Sequence, residues 1–354
     1  MDDHERAVDR EDAAVRERLE ALGATAEQIA AAARVHNLGG LASDLVLSRG
    51  ATLSAGDVAL RAGVDVDTVV AAYRDVGVSV ADPDEPMFTE DDVSIFSQLA
   101  QASQAGIVTG SELLRVIAGA LERIAEAAVA VYVQGPEEQM VRRRASALEH
   151  VQKNTMATEL IMQVGVGLAP LFRHHMRQAI DRQRVTQTGV TRRELARLAI
   201  GFVDLVGSTT LQGRLDPAEL GALVTRFETR AFDVIAAGGA RLVKFIGDEI
   251  MVAALDPVVG CRILLDLVEA FTDDGTQPRG GLVFGEVLFR HGDYYGPVVN
   301  LAARLVDTAI PGEVLVDASV AEEAKDEGLS FEPAGRRQVK GFDAPVTVWS
   351  LASA

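Results

Sequence analysis

GFVDLVGSTTL, residues 201–211, is the stretch that decides how the second half of the chain folds. Its apolar residues predict a buried strand that ends at Asp204, and the small residues Gly207, Ser208 and Thr209 predict a turn directly after it. A carboxylate at a strand end can bind a divalent cation, and the backbone N–H groups of such a turn can bind phosphate oxygens. The alternative is an aspartate that only caps the following segment.

A β-hairpin is predicted by RLVKFIGDEIMVAAL, residues 241–255, in which two apolar runs meet at Gly247, Asp248 and Glu249. Turn chemistry explains Gly247 and Asp248. It does not explain Lys244, which interrupts an apolar strand four residues earlier. A lysine on the buried face of a strand needs a partner, so we expect one for Lys244.

The third informative segment is HGDYYGPVVNLAARLVD, residues 291–307. Pro297 is suited to the first position of a helix. Asn300 and Arg304 are four residues apart, which places both on one face of that helix. Taken alone, this pattern is equally typical of a hydrogen-bonding pair on a protein surface.

The wider pattern divides the chain into two kinds of structure. Residues before about 184 have the three- and four-residue apolar spacing of helices, whereas short apolar strands alternate with amphipathic helices after Thr191. We therefore expect an all-α domain over 1–172, a basic linker or switch helix over 173–193, and an α+β sheet domain over 194–354.

Composition and charge exclude several classes of function. A net charge of −18 argues against nucleic-acid binding, which needs basic residues. A single cysteine, Cys261, excludes an intrachain disulfide or a cysteine zinc cluster and fits the cytoplasm. The N-terminus lacks the apolar core of a signal peptide. The apolar run Leu160–Phe172 is shorter than the roughly 18 residues of a membrane span, so we expect a soluble protein.

Together the three segments resemble the class III nucleotidyl cyclase catalytic domain, over roughly residues 195–352. FVDLVGST, VKFIGDE and GDYYGPVVNLAAR are similar to the metal-binding, hairpin and substrate-orienting motifs of that family, in the same order. The resemblance implies a ferredoxin-like βαββαβ core. It also implies an adenylate cyclase, which converts ATP to 3′,5′-cyclic AMP and pyrophosphate.

The resemblance implies a two-metal site. Asp204 and Asp248 would bind two Mg²⁺ or Mn²⁺ ions per active site, and the turn at Gly207, Ser208 and Thr209 would contact phosphate. Lys340 stands where the family often has a triphosphate lysine, although an ordinary surface lysine is an equally good interpretation.

Four other residues match family positions that bind the nucleoside and the reacting phosphate. Lys244 and Asp293 resemble the purine-selecting pair: lysine donates to adenine N1 and aspartate accepts from the N6 amine. Guanine presents the opposite groups, so this pair favours ATP over GTP. Asn300 resembles the ribose-orienting residue, and Arg304 the one that stabilises charge at phosphorus.

In this family each site takes residues from two protomers. Because all six motif residues lie in one chain, a homodimer is implied. A guanylate or diguanylate cyclase, and a non-catalytic nucleotide sensor or transcription regulator, are the alternative functions.

The arrangement of a helical domain before the catalytic domain resembles bacterial cyclases with an autoinhibitory, pH-responsive N-terminal domain. Two regulators are considered: a proton acting through His174 and His175, and a lipid bound near Leu160–Phe172. The alternatives are exposed histidines and an ordinary core helix.

Residues 53–78 have the helix, glycine-containing turn and helix pattern of a DNA-binding helix-turn-helix. Asp65 and Asp67 would face phosphate, which favours a structural role for that motif.

Overall fold

The computed structural model divides the chain into two compact units, Met1–Arg177 and Gln178–Ala354. The residues that it describes are 3–106, 112–186, 195–206, 215–272, 277–325, 327–342 and 344–353.

The described part of the first unit is helical, which confirms the predicted all-α class. A short π-helical turn, Val133–Glu137, separates α7 from α8. The helices are α1 (Asp3–Ala21), α2 (Ala26–Arg34), α3 (Leu38–Leu47), α4 (Ala55–Ala62), α5 (Val66–Asp75), α6 (Glu90–Gln104), α7 (Glu112–Tyr132), α8 (Glu138–Arg142) and α9 (Ala147–Thr186).

Capping residues fix the starts of two of these helices. At α4 the Asp57 N–H donates to Ser54 Oγ (3.1 Å), and the Asp57 carboxylate accepts from the Ser54 N–H (2.9 Å). At α6 the Asp92 carboxylate accepts from the Thr89 N–H (2.7 Å). In the helix-turn-helix segment, Asp65 accepts from the N–H of Thr68 (2.7 Å) and so caps α5.

The boundary between the units falls within α9, inside the segment predicted as a linker. The predicted bounds of the three domains stay a prediction. His174 and His175 are both exposed on α9.

Among the described residues, Ala147–Arg184 alone is long and apolar enough to cross a membrane by length and composition, a weak criterion that core helices also meet.

The second unit is a mixed sheet with helices on both faces. Strand order is β2-β3-β1-β4-β6-β8-β7, with β5 paired to β4. Its elements are β1 (Leu195–Val206), α10 (Pro217–Gly238), β2 (Arg241–Ile246), β3 (Glu249–Ala254), α11 (Pro257–Thr272), β4 (Gln277–Arg290), β5 (Asp293–Tyr295), α12 (Pro297–Thr308), β6 (Val314–Asp317), α13 (Ala318–Glu323), β7 (Leu329–Arg337) and β8 (Val346–Ser353).

The first six elements run β1-α10-β2-β3-α11-β4, which confirms the predicted βαββαβ core. Strand β1 is central and buried on both faces, because alternate side chains enter two different cores. Ala199 and Val203 pack beneath α10, α11 and α13, whereas Ile200 and Phe202 pack beneath α12. The fold thus holds β1, and the Asp204 near its end, between two hydrophobic layers.

Helix α12 lies very close to strand β4 at Gly281. A Cβ atom added there would stand 2.7 Å from the carbonyl oxygen of Ala302 and 2.8 Å from the backbone nitrogen of Val306. Glycine is therefore required at this crossing by space, since backbone atoms cannot rotate away. The crossing sets the height of α12 above the sheet.

Candidate functional site

Asp204 lies near the end of β1, opposite Glu249 of β3. Its carboxylate accepts two hydrogen bonds from Arg279 of β4, from Nη2 at 2.8 Å and from Nε at 3.1 Å. Both side chains are only about one-fifth exposed. Arg279 also donates to the carbonyl oxygens of Asp307 and Ala309, at 3.2 and 3.4 Å, where α12 ends. One guanidinium therefore joins the end of β1 to the end of α12.

Four acidic residues, which we call the carboxylate cluster, share this end of the sheet: Asp204, Asp248, Glu249 and Asp307. Their proximity is seen in Glu249, whose pKa is raised to about 7 by burial and then by the charges of Asp204, Asp307 and Asp248, with Arg279 acting in the opposite sense. A cation bound here would stabilise the charged form of Glu249, because it would offset the negative charges around that carboxylate.

The predicted β-hairpin is present. Strands β2 and β3 pair in antiparallel register, and Gly247 adopts a left-handed conformation (φ 65°) at the tip beside Asp248. Lys244 is exposed, with 41% of its side chain accessible, so the expectation that it lies on a buried face was wrong. A register shift in β2 between Leu242 and Lys244 accounts for the difference, because it breaks the alternation of faces.

Lys244 nevertheless has the predicted partner. Its Nζ forms an ion pair with Oδ2 of Asp293, at the start of β5. The other oxygen of Asp293 accepts the N–H of Tyr294 (2.8 Å). Arg241 of β2 donates to the carbonyl of Gly292 (2.9 Å) and to the Tyr294 hydroxyl (3.0 Å). The loop that carries Asp293 is thus held against β2, and an ammonium donor and a carboxylate acceptor stand side by side.

Helix α12 begins at Pro297, as predicted, after Gly296 in an extended positive-φ conformation (130°). Asn300 is exposed in its first turn. Arg304 is also exposed, and its Nη1 pairs with Oδ2 of Asp307 at 2.9 Å. The spacing of Asn300 and Arg304 places both on one face of the helix. Asp307 thereby connects Arg304 to the carboxylate cluster.

Among the predicted residues that the structure describes, Lys340 stands apart from these groups. Lys340 is exposed in the turn after β7, and in the part of the chain that the structure describes no hydrogen bond or ion pair joins it to Lys244, Asp293 or the carboxylate cluster. Gly207, Ser208 and Thr209 lie outside the described residues, so their predicted contact with phosphate stays a prediction.

The carboxylate cluster has the donor chemistry of a magnesium or manganese site. Within the described ranges, no three His, Cys, Asp or Glu side chains converge closely enough to cage a metal by themselves. Mg²⁺ is usually held by one or two carboxylates and by substrate phosphates rather than by a complete protein cage. The oxygen donors of Asp204 and Asp248 therefore fit this metal.

Sequence reasoning missed Arg279, Glu249 and Asp307. Arg279 and Asp204 are 75 positions apart, and they meet only because β1 and β4 are neighbouring strands. A signal did exist: arginine is out of place beside Gly280 and Gly281 in an apolar strand, and a charge there needs a partner. Glu249 was seen only as part of a hairpin turn.

Residues 279–353 match the family model of the adenylate and guanylate cyclase catalytic domain. That stretch includes Asp293, Asn300 and Arg304. The region before it, with Asp204 and Lys244, lies outside the matched residues.

Whole-chain similarity extends into the helical half. An uncharacterised protein of Mycobacterium tuberculosis is 35% identical over 340 residues, which cover 94% of this chain and 88% of that protein. An adenylate cyclase of Streptomyces coelicolor is 35% identical, with 74% of this chain and 69% of that protein covered. A pH-sensitive adenylate cyclase of M. tuberculosis is 29% identical, with 87% and 80% covered.

Proposed function

The chain belongs to the adenylate and guanylate cyclase family, and we propose that it converts ATP to 3′,5′-cyclic AMP and pyrophosphate. The observation that carries this choice of substrate is the ion pair between Lys244 and Asp293. Two relatives are named adenylate cyclases, and this chain aligns with most of the length of each. Their names support the same assignment.

Adenine fits this pair by hydrogen-bond polarity. Its N1 is an acceptor, which suits the lysine ammonium, and its N6 amine is a donor, which suits the carboxylate. Guanine has an N–H at position 1 and a carbonyl at position 6. The lysine donor would therefore face a donor, and the carboxylate acceptor would face an acceptor. Mismatched polar groups in a binding site cost about 1–3 kcal/mol each. Preference for ATP follows from that difference.

Arg304 and Asn300 are the residues proposed to act on the rest of the substrate. The guanidinium of Arg304 would stabilise negative charge at the α-phosphate as the ribose 3′-oxygen attacks, and Asn300 would hold the ribose in line. Both side chains are exposed on one face of α12. Arg304 is already oriented by Asp307.

Asp204 and Asp248 would hold two divalent ions, Mg²⁺ or Mn²⁺. Cyclase domains of this family use such ions, which when bound supply charge neutralisation for the phosphates and lower the pKa of the ribose hydroxyl. The chain's own part is to orient the carboxylates. Arg279 fixes Asp204 by two hydrogen bonds, which is how outer residues commonly align a metal ligand.

We propose that two copies of the chain share each site, with Asp204 and Asp248 from one protomer and Lys244, Asp293, Asn300 and Arg304 from its partner. The exposure of Arg304 and Lys244 supports contact with a substrate held by a second copy. Mixing inactive Asp204→Ala and Arg304→Ala chains tests this. Partial recovery of cyclase activity is expected, and no recovery at any mixing ratio would exclude a shared site.

The adenylate assignment is tested with the full chain, Mn²⁺ and either ATP or GTP. The wild type should form cyclic AMP faster than cyclic GMP. In Lys244→Glu with Asp293→Asn, the glutamate can accept from guanine N1 and the asparagine amide can donate to the carbonyl, so the preference should reverse. Lys325→Glu, which repeats the lysine-to-glutamate replacement at an exposed lysine after α13, is the control for that substitution. Equal rates with both nucleotides in the wild type would contradict the assignment.

We further propose that the helical first unit regulates the catalytic unit, in the cytoplasm, and that protons are the signal. The supporting observation is the pH-sensitive adenylate cyclase that is 29% identical over 87% of this chain. The exposed pair His174 and His175 is the proposed sensor, because histidine titrates between pH 5 and 8.

A further inference from the structure

The second unit contains a cavity of about 190 Å³ that no step of the proposed reaction uses. It lies between the last turns of α9 and one end of the sheet. Its walls are mostly apolar and include Leu198 of β1, Ala253 of β3 and Phe289 of β4. Two cations, Arg182 of α9 and Arg241 of β2, also line it. An apolar space bordered by two arginines is an unusual combination.

Arg241 is held in place at the cavity wall. It donates to the Tyr294 hydroxyl and to the carbonyl of Gly292, at 3.0 and 2.9 Å, and its guanidinium lies 5.3 Å from the centre of the Tyr294 ring. These neighbours are neutral, so they orient the charge without cancelling it. The cation is therefore presented to the cavity in a fixed position.

Arg182 faces the same space from α9. Burial and then the positive charge of Arg241 lower its pKa, while Tyr294 acts in the opposite sense. An anion placed between the two guanidinium groups would be attracted by both. Guanidinium groups bind carboxylates well, because each offers two parallel N–H donors.

We propose that this cavity binds a small organic carboxylate, whose charged group lies between Arg182 and Arg241 and whose apolar body fills the space beside Leu198, Ala253 and Phe289. The size is suitable, since an apolar cavity of about 150 Å³ holds a benzene molecule. An aromatic or short-chain monocarboxylate therefore fits. A nucleotide does not, because it is larger and carries several charges. This inference is independent of the proposed cyclase activity.

4-Fluorobenzoate is a direct probe, followed by ¹⁹F NMR with the full-length chain in low-salt buffer. Saturable binding to the wild type is expected. Arg182→Gln should weaken it by about tenfold or more, because a charge-assisted hydrogen bond is lost. Arg184→Gln is the matched control: it lies on the same helix, does not line the cavity and pairs with Asp181 on the surface. It should bind like the wild type.

4-Fluorobenzamide has nearly the same shape without the charge, and it should bind at least about tenfold more weakly than 4-fluorobenzoate. This comparison uses only the wild type, so it stands even if Arg182→Gln fails to fold. The proposal is overturned by the absence of saturable benzoate binding, by equal affinity for the amide, or by equal binding to a folded Arg182→Gln chain.

Discussion

Gly281→Ala adds one methyl group where α12 crosses β4. The new Cβ would meet two backbone atoms, the Ala302 oxygen at 2.7 Å and the Val306 nitrogen at 2.8 Å, whereas ordinary contact begins at 3.4 Å. Because neither atom can rotate away, the helix must move by roughly 0.6 Å. Overpacking of this kind costs about 1–3 kcal/mol of folding free energy.

The displacement matters because α12 carries Asn300 and Arg304, which we propose to orient the ribose and to stabilise charge at the α-phosphate. Catalytic groups need to be placed within about 0.5 Å of their working positions, and a displacement near 1 Å can lower the rate by about a hundredfold. We expect kcat for cyclic AMP formation to fall by about tenfold to a hundredfold. The assay uses saturating Mn²⁺ and ATP, at a temperature well below the Tm of each variant.

Gly280→Ala is the matched control, one residue away on the opposite face of β4. Its Cβ would meet only side-chain methyl groups, of Val314 at 3.2 Å and Leu264 at 3.4 Å. Small rotations of those side chains relieve the contact, so kcat should stay within about twofold of the wild type. The reasoning is refuted if folded Gly281→Ala keeps the wild-type kcat, or if both variants lose activity equally.

Three further predictions concern other parts of the chain. Arg279→Gln should lower kcat/KM by about tenfold to a hundredfold across a Mn²⁺ titration, because Asp204 loses its two hydrogen bonds. A kcat/KM equal to that of the wild type at every Mn²⁺ concentration would show that Arg279 does not support the site. Burial raises the pKa of Asp317, so its contribution to stability is present at low pH and is lost as pH rises through that raised pKa. In thermal unfolding at neutral pH, Asp317→Asn should therefore match or exceed the wild type, whereas Asp317→Ala loses about 1 kcal/mol with the cap of α13. Replacing His174 and His175 by alanine should abolish any rise in activity between pH 8 and pH 5.5, and a retained rise would exclude this pair as the sensor.

Local signals in the sequence were enough for the fold. Pro297 marked the start of α12, and Gly247 marked the hairpin tip. Each of these features depends on a few neighbouring residues, so a short stretch of sequence is enough to predict it. The βαββαβ order then followed from the alternation of short apolar strands with amphipathic helices.

Features that depend on tertiary pairing were not accessible in the same way. Arg279 reaches Asp204 across two strands that are distant in sequence. The exposure of Lys244 depends on a register shift within β2, which no periodic pattern marks. The height of α12 depends on Gly281, which in the sequence is one of two adjacent glycines with no sign of which one meets the helix. Tertiary contacts decided all three.

Strands β1 and β2 differ in their protection from local unfolding. Asp204 is anchored on a central strand that is buried on both sides, whereas Lys244 stands on β2, at the edge of the described sheet. Edge strands open at lower free energy than central ones, so their amide hydrogens exchange sooner. In rising urea concentration the proposed preference for ATP over GTP, which depends on Lys244, should therefore be lost before the strand that carries Asp204, the proposed metal ligand, unfolds. Substrate selectivity would then be lost at a lower urea concentration than cyclase activity.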